Sequence, residues 1–360
     1  MLPAPGNYHI NSDMAYRTYA TLSVPFVAAT FLLSALAHAA DTCRHRGDLD
    51  ALYCDDDRNM TADAPTNLKK LKNPAALMLS YSPQEDAVVY EKLWTPYVDH
   101  LKSCSGKPVR FLPVYSSAAT VEALRSGRIQ LSLLSAGDTP FAVNIGGAVP
   151  FAIHGTANGE IASYHLIVVV KRDSKFKSLV DLKGRRVAHV SPSSNSGNLA
   201  PRALFPRGGL VPDKDYKVVY SGKHDNSVSG VISGDYDAGA VADDVLIRMQ
   251  QRGVLKPDEL RIIYKSPPFP AGSLAVAHDL DPALRQKIVD CTFTFRFPAA
   301  LAEAFRGPDR FVPLDYKRDY ASVREVAYAS GELLNRAGFE ARKALQQEME
   351  NKKTVDAAKK

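Results

Sequence analysis

Ser194, Asn195 and Ser196, followed by Gly197, and His224 after Tyr220-Ser221-Gly222-Lys223, are residue types that hold an anion without reacting with it. Their hydroxyls, amide and ring N–H all donate hydrogen bonds. A Ser/Gly-rich turn that opens a helix adds backbone N–H groups and the positive end of the helix dipole. An imidazole N–H can bond an anion at neutral pH, and the anion would raise its pKa further. Asp244, downstream of Asp237-Ala238-Gly239, is expected to cap a helix over Val245 to Gln251, with a ligand contact as a second role. Each residue also has an ordinary reading: an isolated S-x-S-G is a helix cap, His224 a surface-turn residue, and Asp237 the holder of a strand end.

The same Ser and His side chains would serve an exported hydrolase using Ser194 or Ser196 with His224 and Asp237 or Asp244. No G-x-S-x-G elbow surrounds either serine, and anion binding already accounts for the whole set. No C-x-x-C or H-x-x-x-H spacing occurs, so neither a metal nor a cofactor is expected.

The elements that must position these residues alternate. Leu77 to Leu79 suggests a buried strand, followed by a helix with Val89, Leu93, Tyr97 and Leu101 at four-residue spacing and Pro96 in its first turn or at a kink. Strands at Val109 to Val114 and Ile129 to Leu134 flank a helix over Ala118 to Ser126, and Ala162 to Lys171 is a long apolar strand. The strand and helix rhythm repeats through Arg186 to Val190, Lys217 to Tyr220 and Ala238 to Val241, then returns by Leu274 to Val276 to a helical C-terminal part. This is an α/β class with a mostly parallel sheet. Leaving one lobe by a long strand and returning by another gives two hinge crossings, with a ligand cleft between two lobes. The expected division is 76–168 plus 273–340 for one lobe and 169–272 for the other. A polar extension over 40–75 precedes them and a charged tail over 341–360 follows.

Val24 to Ala37 is apolar, preceded by Arg17 and ended by Ala37-His38-Ala39, so residues 1–39 read as an N-terminal extension and cleaved secretory signal, with translation from Met14. Its core is shorter than the roughly 20 residues a membrane span needs. Cleavage would remove Arg17 and Asp13 together, leaving the net charge at +6, a balance that suits anionic ligands. Cys43, Cys54, Cys104 and Cys291 all lie beyond the cleavage point, and an even count in an exported chain favours disulfides. Cys43 with Cys54 is a plausible local pair and Cys104 with Cys291 a long-range staple, but four cysteines allow three pairings.

From Ala76 to about Glu340 the chain resembles the periplasmic phosphonate-binding proteins of ABC importers, a branch of the type II solute-binding fold that includes phosphite and phosphate binders. The likeness is carried by Trp94-Thr95-Pro96, Tyr115 ahead of Val121 to Gly127, Tyr164, Asp181-Leu182-Lys183-Gly184, Ser194 to Gly197 with Pro201, Ser221 to Asp225, Asp237-Ala238-Gly239, Ser266 to Pro270, and Phe311 to Tyr316. The resemblance implies phosphonyl ligands at Ser194, Asn195, Ser196 and His224. It implies Tyr115 and Tyr164 closing from the opposite lobe and Asp244 facing the ligand's other end. Asn195 stands where Thr is usual. Gly272 stands where aminoalkylphosphonate binders have a second carboxylate, a gap that Asp243 or Asp86 would have to fill. The resemblance further implies a periplasmic monomer that binds a small anion, with a membrane permease as partner and no nucleic acid; a binding module that reports the ligand to a membrane sensor is the alternative reading, which needs the same closed form.

Overall fold

The computed structural model describes residues 43–358 apart from Pro83 and Asp86. The secretory segment, the start at Met14 and any role of Asp86 lie outside the described residues. Eleven strands are found among the described residues: β1 (Leu77–Tyr81), β2 (Val109–Phe111), β3 (Leu131–Leu134), β4 (Ala148–Gly155), β5 (Ser163–Lys171), β6 (Arg186–His189), β7 (Lys217–Tyr220), β8 (Ala238–Ala242), β9 (Leu260–Pro270), β10 (Ser273–Ala277) and β11 (Arg310–Pro313). The helices among them are α1 (Ala87–Ser105), α2 (Ser117–Arg125), α3 (Thr139–Gly146), α4 (Ala200–Leu204), α5 (His224–Ser233), α6 (Asp243–Gln251), α7 (Pro282–Thr294), α8 (Ala299–Ala304), α9 (Tyr316–Asp319), α10 (Ala321–Ala329) and α11 (Arg336–Ala358).

The strands form two sheets, ordered β11-β4-β10-β3-β1-β2 and β7-β6-β8-β5-β9, one per lobe. The sheets are mixed rather than mostly parallel. β1 pairs in parallel with β2 and β3, and β6 with β7 and β8, whereas β4, β5, β9, β10 and β11 pair antiparallel. Parallel pairing needs a helical crossover. The strands that carry the chain between lobes have none: β9 reaches β10 through Ala271 and Gly272 alone.

β5 pairs within the five-stranded sheet along its whole length, so the chain changes lobe before Ser163 and the division expected at 168 falls inside this strand. The two crossings run side by side, joined by Ala271 N–H to the Ala162 carbonyl at 2.9 Å. α10 packs against α4 and β9 of the five-stranded lobe, so this part of the expected 273–340 segment lies on the second lobe, and its N-cap residue Tyr320 donates its hydroxyl to the Ala271 carbonyl at the hinge.

The core of the six-stranded lobe is aromatic. Trp94 is fully buried among Tyr97, Phe297, Phe305 and Phe311. The buried stripe of α1 is Tyr90, Trp94, Tyr97 and Leu101, while Val89 and Leu93 are only half-buried, and Pro96 lies within the helix rather than in its first turn. Burial follows ring size, because large aromatics lose more water-exposed area than Val or Leu.

Disulfides join Cys43 to Cys54 and Cys104 to Cys291, the latter tying α1 to α7. The segment before β1 is docked on the body. Tyr53 is buried and donates its hydroxyl to the Ile145 carbonyl, and Asp50 pairs with Arg336. The C-terminal helix is also partly packed, since Arg342 is buried over the Phe141 ring at 3.9 Å.

Candidate functional site

Between the two sheets lies a cavity of about 60 Å³. By the same measure one water needs about 10–15 Å³. The space therefore admits only a handful of non-hydrogen atoms.

One wall comes from the turn after β6. Ser194 caps a π-helical turn, Asn195–Leu199, that continues into α4, and its Oγ accepts from Gly197 N–H at 3.0 Å. The Gly197 carbonyl is taken by Val190 N–H at 3.1 Å, so Pro201, which lacks an N–H, costs the helix no bond there. Two buried side chains pin the turn. His189 Nδ1–H donates to Asn198 Oδ1 at 2.9 Å, its Nε2 accepts from the Tyr216 hydroxyl at 2.8 Å, and Asn198 Nδ2 donates to the Pro192 carbonyl. Burial pushes the His189 pKa down to about 4, so the ring is neutral.

His224 opens α5 instead of sitting in a loop, and it is buried. Its Nδ1 accepts from Ala242 N–H at 3.2 Å, which leaves the hydrogen of the neutral ring on Nε2, 3.3 Å from Ser194 Oγ. Burial pushes its pKa down to about 4, against the pull of Asp244 and Glu85, so without an anion the ring is a neutral donor rather than one already raised. This tautomer is wrong for a hydrolase, whose histidine accepts the serine proton at one nitrogen and donates from the other to a carboxylate.

Asp244 lines the cavity but does not cap α6; Ala242 is the cap position, and Asp244 lies inside the first turn. Its Oδ1 accepts from its neighbour Val245 N–H and its Oδ2 pairs with Arg248 at 2.9 Å. Burial works against ionising Asp244, yet the guanidinium outweighs it and holds the carboxyl below the usual range. Arg248 also binds Glu85 at 2.7 Å, and Glu85 pairs with Arg252 at 2.9 Å.

Tyr164 lines the cavity from β5, in the same sheet as β6 rather than on the opposite lobe, and its hydroxyl accepts from Asn195 Nδ2 at 2.8 Å. Burial pushes that hydroxyl's pKa up, keeping it protonated. Tyr115 is 82% exposed and does not line the cavity. Ser117, two residues on, does, with its Oγ 2.8 Å from Ser193 Oγ.

The opposite wall was not anticipated from sequence. It is the segment Ser135 to Asp138 that leads into α3, with Ser273 beside it. Gly137 is required there, because a Cβ would lie 2.0 Å from the Ser193 carbonyl oxygen and 2.7 Å from Asn195 N. Asp138 holds the cap position of α3 without capping it. Its Oδ2 accepts from Ser135 Oγ at 2.8 Å, and its Oδ1 is buried with no partner among the described residues. The signal was present in sequence as Asp138 and Thr139 before Pro140, a helix start. Gly272 also faces the cavity, and a Cβ there would lie 2.4 Å from the Leu134 carbonyl oxygen, so no carboxylate fits at that position without movement of the backbone.

A family model for the phosphonate periplasmic substrate-binding protein of ABC transporters matches residues 79–320. The phosphate-import protein PhnD of Mycolicibacterium smegmatis is 27% identical over 243 residues, covering 64% of this chain and 73% of its own. The phosphonates-binding periplasmic protein of Escherichia coli is 24% identical over 203 residues, 55% of this chain and 59% of its own. The solved structure of PhnD1 from Prochlorococcus marinus in complex with methylphosphonate shares the fold, with a TM-score of 0.63 at 20% identity over 71% of this chain and 98% of that one. With two lobes around a small polar cavity and a family match across most of its length, the chain belongs to the periplasmic phosphonate-binding proteins of ABC transporters.

Proposed function

We propose that this chain, exported by a cleaved signal and acting as a monomer, captures one small phosphorus oxyanion without an amine between its lobes and hands it to a membrane permease. The observation that carries this reading is the pair Ser194 and His224. The ring tautomer is fixed by Ala242 N–H, and Ser194 Oγ already accepts from Gly197 N–H and faces the Nε2 hydrogen, so its own hydrogen is free for a ligand. Asn195 and Ser196 line the same wall, with Asn195 Nδ2 already donating to Tyr164 and its Oδ1 buried without a partner among the described residues.

The far end of the cavity argues against an ammonium. Asp244 has both oxygens engaged and its charge matched by Arg248, and Gly272 leaves no room for a second carboxylate. An ammonium desolvated beside Asp244 would find that carboxylate already matched by Arg248.

Asp138 supports phosphorus over sulfur. An ionised carboxylate only accepts hydrogen bonds. A monoprotonated phosphate, phosphite or phosphonate can supply one to the unpartnered Oδ1, whereas sulfate would set two anions face to face. Asp138, rather than Asp244 with both oxygens engaged, is the acceptor a protonated ligand oxygen would meet.

Competition titration with phosphate, phosphite, methylphosphonate, 2-aminoethylphosphonate and sulfate tests the reading. The expected order places at least one amine-free phosphorus oxyanion about 100-fold or more above both sulfate and 2-aminoethylphosphonate. Tightest binding by either of those two overturns it.

A further inference from the structure

The wall of the cavity away from the hydroxyls is aromatic, and one polar residue is set into it. His154, on β4, lies with its ring centroid 4.5 Å from Phe305, 5.2 Å from Trp94 and 5.5 Å from both Phe297 and Phe311. It lines the cavity and is only 5% exposed. Neither ring nitrogen has a hydrogen-bond partner among the described residues, and Nδ1 is fully enclosed. The indole N–H of Trp94 beside it is likewise buried and unpaired. Leaving a buried polar group unsatisfied is costly, and Phe or Leu would fill this space without that cost. A histidine in such a shell is explained if the bound ligand supplies the missing bond.

The charges around it narrow what that ligand group is. Arg248 sits 5.4 Å from the Phe305 ring and pairs with both Asp244 and Glu85, so the cation position against the aromatic wall is already filled and the carboxylates are matched. An ammonium beside His154 would meet a guanidinium whose neighbouring carboxylates, Asp244 and Glu85, are already paired. A methyl group would leave His154 unpaired. A hydroxyl satisfies either ring nitrogen, as donor or acceptor, and carries no charge. Burial, reinforced by Arg248, pushes the His154 pKa down to about 3, so the ring is neutral and can play either role.

We propose that His154 determines specificity by hydrogen bonding a fourth ligand oxygen beyond the three of a phosphonyl group, so that the preferred class is a phosphorus oxyanion carrying that oxygen on phosphorus, as phosphate does, or as a hydroxyl on the first carbon, in place of a bare methyl group. This rests on reading the cavity as a phosphorus-oxyanion site. The cavity volume of about 60 Å³ accommodates phosphate or hydroxymethylphosphonate but little more.

Calorimetric titration of the wild-type chain, His154→Phe and His154→Gln with phosphate, hydroxymethylphosphonate and methylphosphonate tests it. The wild type should bind phosphate or hydroxymethylphosphonate, which carry the fourth oxygen, about tenfold or more tighter than methylphosphonate, the scale of one well-made hydrogen bond left unmet. His154→Phe should erase that preference while leaving methylphosphonate within about twofold, and His154→Gln, which keeps a donor and an acceptor, should retain part of it. A wild type that binds methylphosphonate as tightly as both others overturns the proposal, as does a His154→Phe variant weakened equally for all three. If His154→Phe fails to fold, the wild-type ratio and His154→Gln still decide. Tight methylphosphonate binding without preference sinks the role of His154 alone, whereas no binding of any of the three by the wild type sinks the underlying reading as well.

Discussion

At the residue scale, most of the donor wall was legible because its chemistry is local. Ser194, Asn195, Ser196 and His224 lie in short motifs whose residue types announce hydrogen-bond donation, and all four line the cavity. Each of Ser194→Ala, Ser196→Ala and His224→Ala should weaken phosphate or phosphonate binding by about 1.5–3 kcal/mol, the range for bonds to a charged partner. Ser194→Ala should also cost about 1 kcal/mol of ligand-free stability, because it removes the cap on Gly197 N–H. Calorimetric titration beside urea unfolding reads both quantities, and unaltered affinity in all three variants would place the site elsewhere. The opposite wall was not legible. Gly137 contributes by having no side chain, and Ser117 and Asp138 become wall residues only when the lobes meet. The resemblance implies Tyr115 as a ligand contact, whereas Ser117, two positions on, is the residue that reaches the cleft.

At the element scale, the turn between β6 and α4 holds its shape through His189, Asn198 and Tyr216. That scaffold couples stability to pH. His189 stays neutral in the fold down to about pH 4, whereas an unfolded chain takes up the proton near the usual value of 6.5. Its folded pKa is depressed, so the unfolded state binds more protons as pH falls through this window and stability falls with it. For His189 the loss approaches about 3 kcal/mol between roughly pH 6.5 and 4, and His224 and His154, also neutral and buried, act in the same direction. Urea unfolding of the ligand-free protein across this range should show the midpoint dropping steadily, and a flat profile would contradict the neutral assignments. The strand and helix order was readable from apolar runs and turn residues, but pairing direction was not. Whether β5 and β10 run antiparallel depends on which lobe each strand enters, and no local pattern encodes that.

At the scale of the whole molecule, the lobes are latched around the cavity. Glu85 pairs across the cleft with Arg248 and Arg252, Arg306 pairs with Asp243 at 2.9 Å, and His224 N–H donates to the Gln84 carbonyl. The buried Glu85–Arg248 pair costs several kcal/mol to break one-sidedly, whereas Arg252 and Arg306 are partly exposed and contribute less. The closed form is therefore held by protein–protein contacts as well as by whatever fills the cavity. The two-lobed plan was legible in the long strand that leaves one lobe and the strand that returns, because a chain must cross between lobes somewhere. The latch was not, since its partners lie far apart in sequence. The central claim is that one phosphorus oxyanion binds between the lobes through the Ser194 and His224 wall. Calorimetric titration of the ligand-free protein with phosphate and methylphosphonate, repeated on a variant combining Ser194→Ala, Ser196→Ala and His224→Ala, tests it most directly. Saturable binding at one site per chain is expected for at least one of the two ligands, lost in a variant that still folds. Absence of heat with either ligand in the folded wild type, or unchanged binding in the variant, would contradict it.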